Sequence, residues 1–485
     1  GSGLELTRSF VTQGVVGADV NRDGYRDLFI TTITSRDSAR TIPRARNLLF
    51  LAQGDGTFRD ATDEWGLTPL YSFSTGANFG DFNADGWPDL YVGNYFIEHH
   101  GRLDVISDAT IVGANQTAFG YLLLNDEGKA FTNVYEDYGM SHRGFGFGGL
   151  FTDYDNDGDQ DLIVNHDFGY KATPSMVFEN RYSRKKFRDV SEELDLDLMI
   201  NAMGSAVGDY NQDGYLDYYM TNIRFNHMMV SQGPGKPFVN MAKELGMTYL
   251  SISWGANWQD FDHDGDLDLY VSNGDLNPNC VPMADFYFDN VGGRFNEIGK
   301  ENGAGHYGIG RGSVTFDLEN DGDLDILVIN QKPVLPNYPT NSTTRILRND
   351  GPKGNWLKVK LEGDFTETDG IGSRVTIFSE GKQLIREIDG GGGSHLSQSS
   401  AYAHFGLGEQ EVVDSVLVTW TGGKEQLLTR VPVNQLLKVR EPVRGGTGVF
   451  ATSMALMMLL GMLLLIGILV AIYFNFASKK KSKNY

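Results

Sequence analysis

The chain has 485 residues, of which 60 are glycine, 40% are hydrophobic and 21% are charged. This composition is typical of a turn-rich globular protein and excludes collagen, a coiled coil and wholesale disorder. The formal net charge of −22 argues against nucleic acid as a partner, and the single cysteine, Cys280, excludes an intrachain disulfide.

An acidic nine-residue motif recurs six times, with start-to-start intervals of 62, 72, 56, 51 and 57 residues. Repeats of this length are typical of propeller blades or solenoid units, each too small to bury its own apolar face. A glycine-rich apolar stretch precedes each copy and a short β-prone run follows it, as in Gly76–Gly80 and Leu90–Gly93. A second hairpin then follows, marked by a phenylalanine such as Phe58. Four short strands per repeat predict an all-β fold, a β-propeller over residues 4–350.

Six motifs predict six blades, with Leu4–Phe10 supplying the outer strand that closes the ring beside the last blade. Seven blades are the alternative, because a blade need not carry the motif.

The motif places side-chain oxygens at positions 1, 3, 5 and 9, a glycine at position 6 and a main-chain carbonyl at position 7. Several hard oxygen ligands around one point favour Ca²⁺. Mg²⁺ is the weaker candidate because it demands stricter octahedral geometry, and Zn²⁺ would require histidine or cysteine. Position 12 is Ile30 in the first copy and Val271 in the fifth, where an EF-hand needs glutamate.

We therefore predict about six structural calcium ions, one bracing the loop between the first two strands of each blade. We name the copies loop 1 (19–27), loop 2 (81–89), loop 3 (153–161), loop 4 (209–217), loop 5 (260–268) and loop 6 (317–325). The candidate ligands, loop by loop, are Asp19, Asn21, Asp23, Tyr25 and Asp27; Asp81, Asn83, Asp85, Trp87 and Asp89; Asp153, Asp155, Asp157, Asp159 and Asp161; Asp209, Asn211, Asp213, Tyr215 and Asp217; Asp260, Asp262, Asp264, Asp266 and Asp268; and Asp317, Glu319, Asp321, Asp323 and Asp325.

Residues 355–441 alternate in the β manner, as in Trp356–Leu361, and predict a small β-sandwich. The four consecutive glycines at 390–393 have neither the strand–glycine–helix context nor the lysine of a phosphate-binding loop. A tight turn or a close approach of two backbones explains them better.

The acidic loops resemble, by residue type, the calcium loops of the FG-GAP/VCBS repeats in integrin α-subunit propellers. Further motifs resemble an ASPIC/UnbV domain, namely Asp369–Val375, Gly390–Ser394, Ser397–Ser399, His404–Gly408, Val416–Trp420 and Gly423–Lys424. This pairing is similar to the cartilage acidic protein 1 family. The resemblance implies recognition or adhesion rather than a defined enzymatic activity.

After a linker at 442–448, residues 449–477 contain no charged residue and are long enough to cross a membrane as one helix. The tail at 478–485 carries four lysines, so the positive-inside rule places the C-terminus in the cytoplasm. We therefore expect a single-pass membrane protein whose N-terminal domains are extracellular, periplasmic or lumenal.

These features predict a membrane-anchored, non-enzymatic ectodomain that recognises a protein or a glycan. An accessory structural subunit of a larger membrane complex is the alternative. A propeller enzyme is less favoured, because the sequence contains no GxSxG elbow, HExxH helix or Cys–His pairing. A perturbed aspartate at the propeller axis, away from the acidic loops, would favour the enzyme.

Overall fold

The structure is a computed structural model that describes residues 1–35, 45–71, 73–97, 116–275, 280–332, 342–351, 354–391 and 393–442. Residues Gly1–Glu441 form one compact unit, so the two predicted domains pack against each other. The predicted transmembrane segment, 449–477, lies outside the described residues. Within the described ranges, no helix has both the length and the apolar character needed to span a bilayer.

The fold is all-β, as predicted, and the described residues form only short helical segments, at Glu5–Ser9, Tyr182–Arg184 and Gly299–Asn302. The strands of the repeat region are β1 (Phe10–Ala18), β2 (Asp27–Ser35), β3 (Leu48–Ala52), β4 (Phe58–Asp60), β5 (Phe73–Gly80), β6 (Asp89–Phe96), β7 (Ala118–Phe119), β8 (Tyr121–Asn125), β9 (Phe131–Asn133), β10 (Arg143–Thr152), β11 (Asp161–Asp167), β12 (Met176–Arg181), β13 (Lys186–Asp189), β14 (Ser205–Gly208), β15 (Asp217–Met220), β16 (Ile223–Arg224), β17 (His227–Val230), β18 (Val239–Asn240), β19 (Ser251–Gln259), β20 (Asp268–Asn273), β21 (Met283–Ala284), β22 (Phe286–Asn290), β23 (Phe295–Glu297), β24 (Tyr307–Gly308), β25 (Gly310–Phe316), β26 (Asp325–Asn330) and β27 (Arg345–Leu347).

These strands form six antiparallel sheets, which we call blades 1 to 6, and each blade carries one acidic loop between its first two strands. In chain order the blades are β1-β2-β3-β4, β5-β6-β8-β9, β10-β11-β12-β13 with β7 beside β10, β14-β15-β17-β18, β19-β20-β22-β23 with β16 beside β19, and β25-β26-β27. Strands β21 and β24 form a separate pair. The predicted four-strand repeat is therefore present in blades 1 to 5, and the described part of blade 6 has three strands.

Apolar clusters join consecutive blades. Phe29 of blade 1 packs in one cluster with Leu90 of blade 2, and comparable clusters link blades 2 to 3, 3 to 4, 4 to 5 and 5 to 6. Among the described residues no such cluster joins blade 6 to blade 1, and Ile329 and Ile346 of blade 6 are 44% and 52% exposed. The architecture is thus propeller-like.

The prediction that Leu4–Phe10 forms the outer strand of the last blade is wrong. Residues Glu5–Ser9 form a 3-10 helix, and Phe10 begins the first strand of blade 1. Leu4 and Leu6 pack beside Ile30 on blade 1 itself. The apolar side chains of this segment are already packed against blade 1, so they are not available to pack against blade 6.

The second domain has two sheets around a shared apolar core that includes Leu357, Val359, Ile377 and Val416. One sheet has the order β31-β28-β34 and the other β30-β29-β32-β33. The strands are β28 (Asn355–Glu362), β29 (Arg374–Ser379), β30 (Lys382–Glu387), β31 (Ala403–Gly408), β32 (Val412–Trp420), β33 (Lys424–Pro432) and β34 (Gln435–Arg440).

Between β30 and β31 the chain leaves the second domain and enters the centre of the propeller. We call residues 389–391 and 393–399 the axial segment. The contacts that join it to the six blades are Val15 N donating to Leu396 O (3.3 Å), Phe79 N donating to Gly390 O (3.1 Å), Thr315 N donating to Ser399 Oγ (3.2 Å), Ser399 Oγ donating to Asn257 Oδ1 (3.2 Å), His395 Nδ1 with Met203 O (2.9 Å) just before blade 4, and the His395 ring with that of Phe147 (5.4 Å). Because the first strands of these blades converge on one segment, it marks the propeller axis.

Candidate functional site

Each acidic loop is shaped by its own side chains. In loop 1, Asp19 accepts hydrogen bonds from Asp23 N (3.0 Å) and Gly24 N (2.9 Å), and Gly24 takes the left-handed φ of +89° that the tight turn requires. Position 4 is also left-handed in all six loops, which the sequence analysis did not foresee. These residues are Arg22 (φ 58°), Ala84 (50°), Asn156 (64°), Gln212 (59°), His263 (63°) and Asn320 (57°).

The aspartate at position 9 ties each loop to the third strand of its blade. Asp27 Oδ1 accepts a hydrogen bond from Ala52 N at 2.8 Å. The equivalent donors are Asn125 N to Asp89 (2.9 Å), Asn180 N to Asp161 (2.7 Å), Ser231 N to Asp217 (2.8 Å), Asn290 N to Asp268 (2.9 Å) and Asn349 N to Asp325 (2.9 Å). This residue thus has a structural task in addition to its predicted role as a metal ligand.

The buried carboxylates of the loops resist ionisation in the absence of a cation. Burial, reinforced by neighbouring carboxylates, raises the pKa of Asp81 and of Asp260 to about 7 and that of Asp268 to about 9. For Asp161 the pKa is raised well above its usual value for the same reasons. A divalent cation would relieve both the desolvation and the repulsion of these groups.

In loop 3, and separately in loop 5, the donor oxygens lie close enough together to hold an ion. Ligand oxygens lie within 4.8 Å of one another in the groups Asp153, Asp155 and Asp161; Asp260, Asp262 and Asp264; and Asp262, Asp268 and Asp289. Asp289 was not predicted as a ligand, because it lies on β22 next to Asn290 rather than in a loop. In loops 1, 2 and 4 an asparagine at position 3 supplies an amide oxygen in place of a carboxylate.

Several buried carboxylate oxygens of the loops have no hydrogen-bond partner in the described structure. They are Oδ2 of Asp89 and Asp217 and Oδ1 of Asp159, Asp260 and Asp266. Unsatisfied buried oxygens are costly unless a ligand pairs with them. The donor set of loops 2 to 5 therefore fits a hard divalent cation.

In loop 6 a buried lysine hydrogen-bonds directly to one of the predicted ligands. Lys358 of β28 donates through Nζ to Asp317 Oδ2, and the two side chains are only 5% and 1% exposed. Glu319, at position 3, lies 3.7 Å from Arg348. The Lys358 ammonium thus takes part of the role that a metal ion would have in this loop.

The second domain covers the face of the propeller that carries the loops. Arg374 Nη2 lies 3.5 Å from Asp153 of loop 3, and Gly408 N donates to His263 O of loop 5 at 2.8 Å. Arg22 of loop 1 donates to Thr366 O at 2.7 Å. Atoms bound in these loops would therefore lie between two domains and away from large ligands in solution.

A cavity of about 1240 Å³, which we call the axial pocket, opens at the opposite ends of the same strands. In blade 1, Ala18 pairs with Asp27 beside the loop, whereas the pocket residue Thr12 pairs with Thr32 at the far end. The pocket wall is formed by residues of blades 1, 2, 3, 5 and 6, by residues that flank the first two strands of blade 4, such as Met203 and Asn222, and by residues 395–397 of the axial segment. No local sequence pattern marks this pocket, because its residues come from strand ends distributed along the whole repeat region.

Two charged side chains of the pocket wall, Asp167 and Arg311, are held by different groups: hydrogen-bond donors surround Asp167, whereas an aromatic ring and main-chain carbonyls surround Arg311. Asp167 is held by the Tyr95 hydroxyl (2.6 Å), by Phe168 N (2.8 Å) and by the Asn201 amide. The Arg311 guanidinium lies 4.2 Å from the Trp254 ring centroid and donates hydrogen bonds to three main-chain carbonyls. Burial lowers the pKa of Arg311 to about 10, so this side chain remains a cation at neutral pH.

Asp389 is a perturbed aspartate near the axis, the feature that would favour an enzyme. Burial raises the pKa of its carboxyl to about 7. Its Oδ1 accepts hydrogen bonds from Gly391 N (2.8 Å) and Asn78 Nδ2 (3.1 Å). These contacts give Asp389 a structural task, because they fasten the axial segment to blade 2.

Comparison with solved structures gives distant likenesses. An Agrocybe aegerita lectin that recognises non-reducing terminal N-acetylglucosamine aligns with 70% of this chain and 81% of its own, at 15% identity and a TM-score of 0.38. Rhamnogalacturonan lyase YesX aligns with 88% of this chain and 73% of its own, at 11% identity and a TM-score of 0.36. The Dos1 propeller covers 88% of this chain and 96% of its own, at 9% identity and a TM-score of 0.32.

Comparison with curated relatives and families is more informative. Cartilage acidic protein 1 of Xenopus tropicalis is 24% identical over 448 residues, or 88% of this chain, and the human protein is 23% identical over 425 residues, or 85%. The chain spans only 64% and 60% of the lengths of these relatives. The FG-GAP-like repeat family matches residues 11–92, 153–220 and 209–271, and the ASPIC and UnbV family matches residues 363–445. The chain therefore contains FG-GAP-like repeats followed by an ASPIC/UnbV domain, and over most of its length it is a distant homologue of cartilage acidic protein 1.

Proposed function

We propose that the chain is a membrane-anchored, non-enzymatic ectodomain that recognises a protein or glycan ligand, with calcium holding its propeller loops. The observation that carries this proposal is the separation of two faces. The acidic loops lie under the ASPIC/UnbV domain, whereas the axial pocket opens at the other ends of the strands. Metal at the covered face would stabilise the fold, and ligand would bind at the open face.

Calcium is the cation that fits the loops, because their donors are carboxylate, amide and carbonyl oxygens. We assign ions to loops 1 to 5 and the ammonium of Lys358 to loop 6, where it already contacts Asp317. The buried, unpartnered carboxylate oxygens of loops 2 to 5 support this assignment. Elemental analysis of the purified protein tests it, with five calcium ions per chain expected and none contradicting the role of calcium.

The alternative, an accessory subunit of a larger membrane complex, is supported by the apolar surface of blade 6. Ile329 on β26 and Ile346 on the neighbouring strand β27 are 44% and 52% exposed there. Exposed apolar side chains that cluster on one sheet are typical of a surface that another protein covers.

Purification of the full-length chain from its native membrane separates the two functions. A stable complex of fixed stoichiometry would support the subunit, whereas a monomer that captures a ligand through the axial pocket would support recognition. Recovery of the chain from the soluble fraction after cell lysis would contradict membrane anchoring in either case.

A further inference from the structure

The axial pocket combines an apolar wall with cationic groups. Val15, Met199 and Ile329 line it and are 46%, 65% and 44% exposed, respectively. Burying such side chains against another apolar surface is favourable, by roughly 25 cal/mol per Å². The wall therefore suits a ligand that carries apolar groups.

The charges of the wall favour an anion. Arg224 and Arg311 both line the pocket, and Lys171 lies over the rings of Phe168 and Tyr170 at 5.5 and 5.8 Å. The negative charge of Asp167, in the same wall, is already engaged by the Tyr95 hydroxyl and two amides. A carboxylate entering the pocket would thus meet two guanidinium groups and one carboxylate that already accepts three hydrogen bonds.

Two features indicate that Arg311 and Arg224 are preorganised for binding a ligand. Arg311 is stacked on Trp254 at 4.2 Å and fixed by three main-chain carbonyls, which leaves little rotamer freedom to lose on binding. Arg224 has a φ of +86°, a conformation that costs a residue other than glycine about 1–3 kcal/mol and that is found preferentially at functional positions. Planar guanidinium groups bind carboxylates through paired hydrogen bonds.

We propose that the axial pocket binds an extended acidic peptide segment of a protein partner, in which a carboxylate side chain lies between apolar residues. The carboxylate is received by Arg311 and Arg224, and its apolar neighbours cover Val15, Met199 and Ile329. The proposal rests on the recognition function proposed above and names the ligand class for that open face. Exposed apolar lining favours a peptide over a glycan, whose hydroxyl groups would lose hydrogen bonds to water against these side chains.

The probe for this inference is an array of short peptides with a central glutamate between apolar residues, beside the same peptides with glutamine. The full-length chain, solubilised in detergent with calcium present, is expected to bind the glutamate peptides about tenfold more tightly, since hydrogen bonds to a charged group are the stronger ones. Equal binding of both sets would overturn the proposal.

Three arginine variants then locate the binding. R224Q and R311Q are each expected to weaken binding of the glutamate peptides about tenfold. R59Q is the control: Arg59 lies exposed on the outer strand β4 and pairs with Glu64, so its loss should change the affinity by less than about twofold. A melting curve shows whether R311Q folds, and R224Q, which is exposed, decides the matter if it does not. Unchanged affinity in R224Q would overturn the assignment.

A parallel array of uronic-acid oligosaccharides separates failure of this inference from failure of the proposed function. Binding to these sugars but not to the peptides would overturn the peptide ligand and leave a recognition function in place. Binding to neither array, together with isolation of the chain only as a stoichiometric subunit, would refute both.

Discussion

The ion pair between Lys358 and Asp317 gives the sharpest test of how the two domains are joined. Both side chains are nearly inaccessible, at 5% and 1% exposure, so K358M would leave the Asp317 carboxylate buried without its ammonium partner. Removing one member of a buried pair costs about 3–5 kcal/mol. We expect a loss of that size in the free energy of unfolding, measured by urea titration in the presence of a chelator.

Calcium should reverse much of this loss. With methionine at position 358, the carboxylates of loop 6 have no ammonium beside them, so a calcium ion can take the place of the Lys358 ammonium. The bound calcium should therefore rise by one ion per chain. K438M is the matched control, because its pair with Glu362 is 3.7 Å long and the two side chains are 61% and 43% exposed. Exposed pairs contribute about 0–1 kcal/mol. A K358M protein as stable as K438M, or unchanged in calcium content, would refute this role of Lys358.

Three further predictions concern the metal, the axial segment and pH. A chelator should lower the melting temperature sharply, with calcium restoring it better than magnesium, and an unchanged melt would count against metal in the loops. G390A should melt well below G148A, because an added Cβ would lie 1.8 Å from Phe79 O at the first position but 3.6 Å from its nearest neighbour at the second; equal melting would contradict the close approach. The folded-state pKa of Asp389, about 7, exceeds its usual value of 3.8, so its contribution to stability is full below about pH 4 and is lost as the pH rises through about 7. Measured against D389N, which lacks this titration, the free energy of unfolding of the unmodified protein should fall between pH 5 and pH 8, and a difference independent of pH would show that this carboxyl does not titrate there.

The acidic loops were predictable because each repeat of the motif lies within nine consecutive residues. The glycine run around Gly390 was interpreted as either a tight turn or a close approach of two backbones, and the structure shows the close approach, to a strand that was not foreseen. Asp289 was missed because it follows loop 5 by about 20 residues, on a strand whose pattern indicates only burial. Lys358 lies 41 residues from Asp317, in another domain. The axial pocket depends on strand ends that only the assembled blades bring together.

The misplacement of Leu4–Phe10 has a similar cause. Its leucines indicate an apolar surface to be covered, but a one-dimensional pattern does not say which surface supplies the partner. Ile30 and Leu48 of blade 1, the sheet that the segment leads into, do so here.

The axial segment has a consequence for how this protein is made. Gly17, on the first strand, donates to Gln398, which follows it by 381 residues, so the hub of the propeller is synthesised after all the blades. At a synthesis rate of about 5–20 residues per second, on the order of tens of seconds pass between synthesis of the first strand and synthesis of the segment that contacts it. A nascent chain interrupted before residue 399 would lack the contacts that the axial segment makes with the first strands of the blades, so the inner face of each blade would stay uncovered until that segment emerges.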